Sequence, residues 1–288
     1  MQLVEIHDRK WFPKFLRDFV TDDLETILNL VNVYQPVALR LRNALADAGT
    51  SRVVDLCSGG GGPWPWLYQA FENTNGPPVH IWLTDKYPNV AAFTRARNAS
   101  GNRIHFRTDP IDAMKLPAEL VGFRTFFSSF HHFSAAEGRE ILQDAIDHKQ
   151  GIGIFEAPGR HVLTLFLVLM IPIADLLLAP SVRPFRWKRL LWTYVIPVIP
   201  VVLLVDGILS CLRVYSPTDL AQMSGSLRDS GEYEWDIGIE SGGIFRVPIT
   251  YLTGIPKRAA QPATERDHTL RAQHGQDVKG QNLKPAAV

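Results

Sequence analysis

Cysteine is nearly absent: Cys57 and Cys211 are the two in 288 residues. That excludes a disulfide framework and any cysteine-rich zinc site. An excess of one charge is missing as well, since 30 Lys+Arg stand against 29 Asp+Glu for a formal net charge of +1. A broadly basic nucleic-acid coat is thereby excluded, and no nucleic-acid partner is expected. The opening MQLVEIHDRKW is not expected to act as a secretory signal, because Glu5, Asp8, Arg9 and Lys10 stand where an apolar core is needed. No fixed-period repeat is found. What the chain has is hydrophobicity, 46% against 20% charged residues, enough to bury a sizeable core.

Residues 1–49 read as an N-terminal helical segment. Leu24, Ile27, Leu28 and Val31 recur at helical spacing, Thr21 or Asp22 is the expected N-cap, Pro36 interrupts, and Gly49 is the expected C-terminal stop. Residues 50–160 alternate short β-rich runs with helical ones. RVVDL, VHIWLTD, RIHFRTD, FRTFFSSF and GIGIFEA are five expected strands. This rhythm predicts an α/β, doubly wound, mostly parallel sheet. Residues 161–213 form an apolar helical insertion. Residues 214–256 complete the sheet with a hairpin around Gly242 and Gly243. Residues 257–288 are polar and aperiodic and are expected to be a disordered tail.

The chemistry points to one edge of that sheet. VVDLCSGGGGPW, residues 53–64, ends a strand at Asp55 and runs into Gly59–Gly62. Glycines permit positive φ and close approach of a ligand to the backbone, and the helix that follows offers free N–H groups. Asp85 ends the second strand, where a carboxylate can accept both ribose hydroxyls, and Asp112 follows the third. Three acids at successive strand ends lie on the edge where open α/β sheets bind ligands. The nicotinamide-dinucleotide pattern GxGxxG fails in every register, because its last glycine falls on Trp64, Pro65 or Trp66.

These residues resemble the class I S-adenosylmethionine-dependent methyltransferases. VDLCSGGG stands where VLDLGCGTG is usual, Asp85 matches the acid of the second strand, Asp112-Ala113 with Leu116-Pro117 resembles D-A-x-x-L-P, and SSFHHF resembles the fourth-strand segment. The likeness covers about residues 50–158 and 214–256 and implies S-adenosyl-L-methionine as cofactor. It implies that Asp55, Cys57, Gly59 and Gly61 line the methionine end, that Asp85 holds the ribose, and that Asp112 and Ala113 recognise the adenine. Tyr87 is a candidate to pack on the adenine face. Cys57 replaces a glycine, and Arg124-Thr125 stands where an acid often opens the fourth strand. His131 and His132 follow the fourth strand near the expected methyl position and are the catalytic candidates, because histidine titrates near neutral pH. No metal site is expected, since no further ligands cluster with the pair in sequence.

The insertion holds two apolar runs, residues 162–180 and 190–212, apolar at 15 of 19 and 17 of 23 positions. Each approaches the length of a membrane span, yet each carries an aspartate, Asp175 or Asp206, which opposes a deep position. The linker between them holds Arg183, Arg186, Lys188 and Arg189 beside Trp187. If both runs spanned, those charges would emerge opposite the catalytic domain, against the positive-inside tendency. A hairpin lying in the near leaflet is therefore expected, with the linker at the headgroups. A two-span anchor or a cap buried on a soluble domain are the alternatives. The expected activity is methyl transfer to a hydrophobic acceptor, a lipid, quinone or isoprenoid, at the cytoplasmic face of a membrane. The rivals are a soluble, cytoplasmic small-molecule O-methyltransferase and a non-catalytic membrane-docked binding protein.

Overall fold

The computed structural model describes residues 4–72 and 77–257. The tail expected at 257–288 therefore falls, Lys257 apart, outside the described residues.

Five strands run parallel: β1 (Arg52–Leu56), β2 (His80–Leu83), β3 (Ile104–Phe106), β4 (Phe123–Phe127) and β5 (Ile152–Glu156). A hairpin of β6 (Tyr233–Gly242) and β7 (Val247–Pro256) closes the sheet. Here β7 lies antiparallel between β5 and β6, and the order is β3-β2-β1-β4-β5-β7-β6. β4 and β5 are buried at every position, so neither alternates between apolar and polar residues, and Arg124, Thr125 and Glu156 are buried with the rest. Successive residues still part to opposite faces. Val53 joins the core under α2 (Val37–Asp47), α3 (Trp64–Glu72) and α4 (Val90–Ala99). Val54 joins the core under α5 (Ala135–Asp147) and α9 (Pro217–Gly225). The doubly wound α/β class expected from the strand rhythm is the observed one.

The first helix departs from the expectation. α1 spans Lys14–Leu30 with Pro13 at its N-cap, so Thr21 and Asp22 lie mid-helix and cap nothing. Asp22 and Asp23 are buried because they serve a tertiary contact. Asp22 accepts from Asn89 Nδ2 (3.0 Å), Arg95 (2.9 Å) and Arg189 (2.9 Å), and Asp23 lies 3.0 Å from Arg189 Nε. Arg189, read from the sequence as a headgroup-facing linker charge, is fully buried, which leaves Arg183, Arg186 and Lys188 to the surface.

The insertion folds as α6 (Val162–Leu178), α7 (Trp187–Leu190), a π-helical turn at Leu191–Val195, and α8 (Val198–Arg213). Among the described residues no single helix is long and apolar enough to cross a bilayer. Trp187–Val195 and Val198–Arg213 would have to act together and are bent by 71° at their break. α6 is amphipathic in the inverse sense. Its buried stripe is Thr164, Val168 and Asp175, while Val162, Phe166, Leu169, Ile173 and Leu177 point outward, Val162 at 87% and Leu177 at 74% exposure. Both insertion aspartates face protein. Asp175 sits against Asp23 and Arg189. Asp206 accepts from the backbone N–H groups of Ile6 (2.6 Å) and His7 (3.1 Å). The two acids thus hold the hairpin to the domain.

Burial pushes the carboxyls of both Asp23 and Asp175 upward; Arg189 opposes the rise, and the negative charge of Asp175 adds to it at Asp23. The folded pair therefore keeps a proton that the unfolded chain releases above about pH 4. Because the folded state then binds more protons, this pair's contribution to stability falls as pH rises above that point, by up to about 1.4 kcal/mol per pH unit for each proton kept. In Asp175→Asn, the fall in urea midpoint between pH 5 and pH 8 is expected to be shallower than in the parent. Parallel pH profiles for the two proteins would exclude a proton held at this pair.

Candidate functional site

The carboxyl edge of the parallel strands carries a hydrogen-bonded set of loops. Asp55, at the end of β1, is buried with both oxygens engaged: Ser58 Oγ donates to one (2.6 Å) and Thr125 Oγ1, from β4, to the other (2.6 Å). Burial raises its pKa to about 7, against the pull of those two hydroxyls. The resemblance implied that Asp55 would line the ligand cleft. The structure instead places its carboxyl beneath the turn, which it shapes. Cys57, Gly59, Gly61 and Gly62 all have positive φ (56°, 53°, 111° and 57°). Glycine adopts this region freely, whereas Cys57 does so at a conformational cost.

Gly60 is tight for another reason: a Cβ there would lie 2.8 Å from the carbonyl oxygen of Thr21 and 3.0 Å from Glu25 Oε2. Helix α1 therefore rests directly on the turn and brings Glu25 to it. Burial raises the Glu25 carboxyl to about 8, although Arg95 counteracts it.

Asp85 follows β2. Its two oxygens accept the backbone N–H groups of Gly59 (2.8 Å) and Tyr87 (2.7 Å). A carboxylate has about four acceptor sites, so one remains on each oxygen for a pair of hydroxyls. Burial raises its pKa, with those N–H groups acting in the opposite direction. The N–H of Ile111 donates to the Asp85 carbonyl (2.9 Å), which draws the third loop to the second. There Asp112 accepts from Met114 N–H (3.1 Å) and pairs with Lys86 (2.9 Å). Its partial burial is outweighed by Lys86, and its pKa is lowered. Ala113 is buried beside it. Tyr87 meets the guanidinium of Arg17, 3.9 Å from its ring centroid, so one face of the ring is already covered.

His131 and His132 occupy a 3₁₀ turn after β4, with ring centroids 4.5 Å apart. His131 Nδ1 lies 2.5 Å from Glu156 Oε2, at the end of β5, and its Nε2 lies 3.2 Å from Glu5 Oε1. His132 Nδ1 bonds Asp8. His7 Nδ1 bonds Asp206 (2.8 Å). Burial would lower the pKa of His131, but the charges and hydrogen bonds of Glu156 and Glu5 raise it to about 10. In the same way Asp206, Asp8 and Glu5 raise His7 to about 9, and Glu5 is lowered to about 2 by the histidines despite its burial. The sequence expectation of no ligand cluster is corrected here. One ligand atom from each of Glu5, His131 and His132 lies within 4.8 Å of the others, and the same holds for Glu5, His7 and Asp206.

The structure thus joins Asp55, Cys57, Gly59, Gly61, Asp85, Asp112 and Ala113 in one hydrogen-bonded edge, with the histidine pair at the adjoining strand end. Sequence reasoning missed Glu5, His7, Asp8, Glu25 and Glu156. Glu156 was accessible by the rule that singled out Asp55 and Asp85, since it also ends a strand. Glu5, His7 and Asp8 carried no local pattern, because their partners lie more than 100 residues away.

No family model matches the chain, and no curated protein sequence matches it. Solved structures do match. An O-methyltransferase family protein from Burkholderia thailandensis matches with a TM-score of 0.48 and 16% identity, over 84% of this chain and 60% of its own. Magnesium protoporphyrin IX methyltransferase from Synechocystis PCC 6803, solved with bound SAH, gives 0.43 and 14% over 78% and 84%. A SAM-dependent methyltransferase from Aquifex aeolicus gives 0.45 and 14% over 82% and 97%. The chain spans about 60% of the length of the first of these. The assignment of fold rests on this chain's own strand order and register.

The packing of α1 on the turn is directly testable. Gly60→Ala must move either the turn or α1 and is expected to destabilise the protein by roughly 1–3 kcal/mol in urea unfolding. An unchanged midpoint would mean that α1 does not rest on the turn.

Proposed function

We propose that the protein transfers a methyl group from S-adenosylmethionine to a hydrophobic acceptor presented at a membrane surface. The observation that carries the cofactor is the junction of Asp85 with the glycine turn. The carboxylate fixes Gly59 and Tyr87 through their N–H groups and keeps an acceptor site on each oxygen, the acceptor pair that the two hydroxyls of a ribose diol need. Asp112 and Ala113 stand on the neighbouring loop at the adenine end, and Gly59 and Gly61 at the methionine end, with Cys57 in the turn. Glu25 adds a carboxyl over the turn, suited to a ligand ammonium. These residues fit the cofactor. When bound, it supplies an electrophilic methyl carbon on a sulfonium. The chain's own part is to hold and orient: α1 closes over the turn, and His131 and His132 stand where the acceptor would approach and fix its direction.

The membrane reading is supported by the inverse amphipathicity of α6. A helix that buries its aspartate and exposes Val162, Phe166, Leu169, Ile173 and Leu177 is stable in water only at a large apolar exposure. Arg183 and Arg186 in the loop that follows, with Trp187 (77% exposed) and Lys188 in the short α7, have the composition of a headgroup contact. At the foot of the hairpin a cleft of about 660 Å³ is lined by Arg139, Arg160 and Arg213 with Tyr215 and one acid, Asp219, a net positive lining that favours an anionic headgroup. The hairpin therefore lies along the surface, its acids turned to the domain, and it presents a membrane-resident acceptor to the histidine edge.

Two measurements test this. Asp85→Asn is expected to weaken S-adenosylmethionine binding about tenfold or more in titration calorimetry, because a charge-assisted hydrogen bond contributes about 1.5–3 kcal/mol. Heat with NAD but none with S-adenosylmethionine would overturn the cofactor assignment. Separately, the full chain is expected to float with anionic vesicles, and Phe166→Asp with Leu177→Asp to abolish flotation while leaving the urea midpoint in place. A parent protein that stays with the aqueous fraction would move the acceptor to a small soluble molecule.

A further inference from the structure

Three histidines converge on one carboxylate with the same hydrogen-bond polarity. His131 Nδ1 faces Glu156, His132 Nδ1 faces Asp8, and His7 Nδ1 faces Asp206. A carboxylate only accepts, so each Nδ1 carries a proton and each neutral ring directs its lone pair through Nε2. A carboxylate behind a histidine is the outer-shell arrangement that orients imidazole ligands to a metal. The Nε2 atom of His131 is buried and has no well-directed hydrogen bond, although it lies 3.2 Å from Glu5 Oε1. His132 Nε2 lies 3.8 Å from the other oxygen of Glu5. Glu5 is itself held in place, since Ser210 Oγ donates to its Oε1 (3.0 Å).

Charge points the same way. Glu5, Asp8, Glu156 and Asp206 bring four carboxylates together, against one permanent cation, the guanidinium of Arg213 that reaches the His132 carbonyl (2.6 Å), and three histidines that are neutral when unprotonated. Buried charge of one sign demands a counter-charge. Protons on the rings can provide it, as in an imidazolium–carboxylate network. A divalent cation provides it while also engaging the unpartnered Nε2.

We propose that Glu5, His131 and His132 bind a divalent first-row transition-metal ion, with Glu156 and Asp8 as the outer-shell carboxylates. Two imidazoles and one carboxylate suit zinc, cobalt or iron(II) better than magnesium or calcium, which prefer all-oxygen sets. The side toward Asp8 and His132 is partly open to solvent, at 32% and 19% side-chain exposure, and gives the ion an entry path. The binding of the ion does not rest on the methyl-transfer reading.

The test uses the full chain, stripped with a chelator and titrated with Co²⁺ and then Zn²⁺. One equivalent of Co²⁺ is expected to give visible absorption bands that Zn²⁺ displaces. Glu5→Gln and His132→Ala are expected to abolish the bands. Asp8→Asn, a partly exposed outer-shell change, is expected to lower affinity about ten- to a hundredfold. Circular dichroism confirms that each variant is folded. Folded parent protein that gives no bands, or bands that survive Glu5→Gln and His132→Ala together, would overturn the site and leave the imidazolium–carboxylate network. Calorimetry with S-adenosylmethionine on the same samples separates the two readings. Cofactor binding without the ion rejects the ion alone, and ion binding without the cofactor rejects methyl transfer alone.

Discussion

The buried guanidinium of Arg189 fixes the position of everything outside the sheet. An arginine out of reach of water needs acceptors for its donors. It finds them in Asp22 and in the carbonyl oxygens of Val182 and Pro184, the carbonyls each 3.1 Å away, and it adds an ion pair with Asp23. The two aspartates belong to α1 and the two carbonyls to the hairpin loop. On its other flank α1 presents Thr21 and Glu25 to Gly60. One helix is therefore clamped between the hairpin and the glycine turn, and a shift of the hairpin cannot leave the turn unaffected. Helix α1 thus links the hairpin to the glycine turn through direct contacts on its two flanks.

The sheet was legible because its strands follow local rules. Short β-rich runs, a glycine turn, and an acid at or just after the ends of β1, β2 and β5 are all readable within a dozen positions, and the hairpin turn at Gly242-Gly243 falls where the glycines stand. The start of α1 was not legible, because Asp22 looks like a cap in isolation and becomes a tertiary ligand only once Arg189, 167 residues later, is folded against it. Asp175 misled for the same reason. In sequence it argues against bilayer depth, and in the fold it is the inward face of α6. The histidine pair was visible, but its grouping with four carboxylates was not. Glu5, Asp8, Glu156 and Asp206 come from three separate regions of the chain.

The interior is unusually rich in ionisable groups for a chain of balanced charge. Burial raises Asp55 and Glu25, while mutual attraction raises His7 and His131 and lowers Glu5. Such opposed shifts arise where a ligand-binding edge is built from charged side chains and roofed by helices that exclude water. The apolar outer face of α6 is the complement of this arrangement. On that helix the aspartate is turned inward, and the outer face is left with hydrocarbon.

The N-terminal segment has a consequence for how the molecule comes together. Ile6 and His7 bond Asp206 across 200 positions, and Asp8 bonds His132 across 124. During synthesis those early residues emerge long before their partners, so Glu5, His7 and Asp8 must stay solvated while the sheet assembles behind them. Contacts of such long sequence separation carry a late entropic penalty, repaid only when α8 docks. The histidine corner is thus closed by contacts between the start of the chain and segments made more than 100 residues later, and it cannot be complete before α8 has been made.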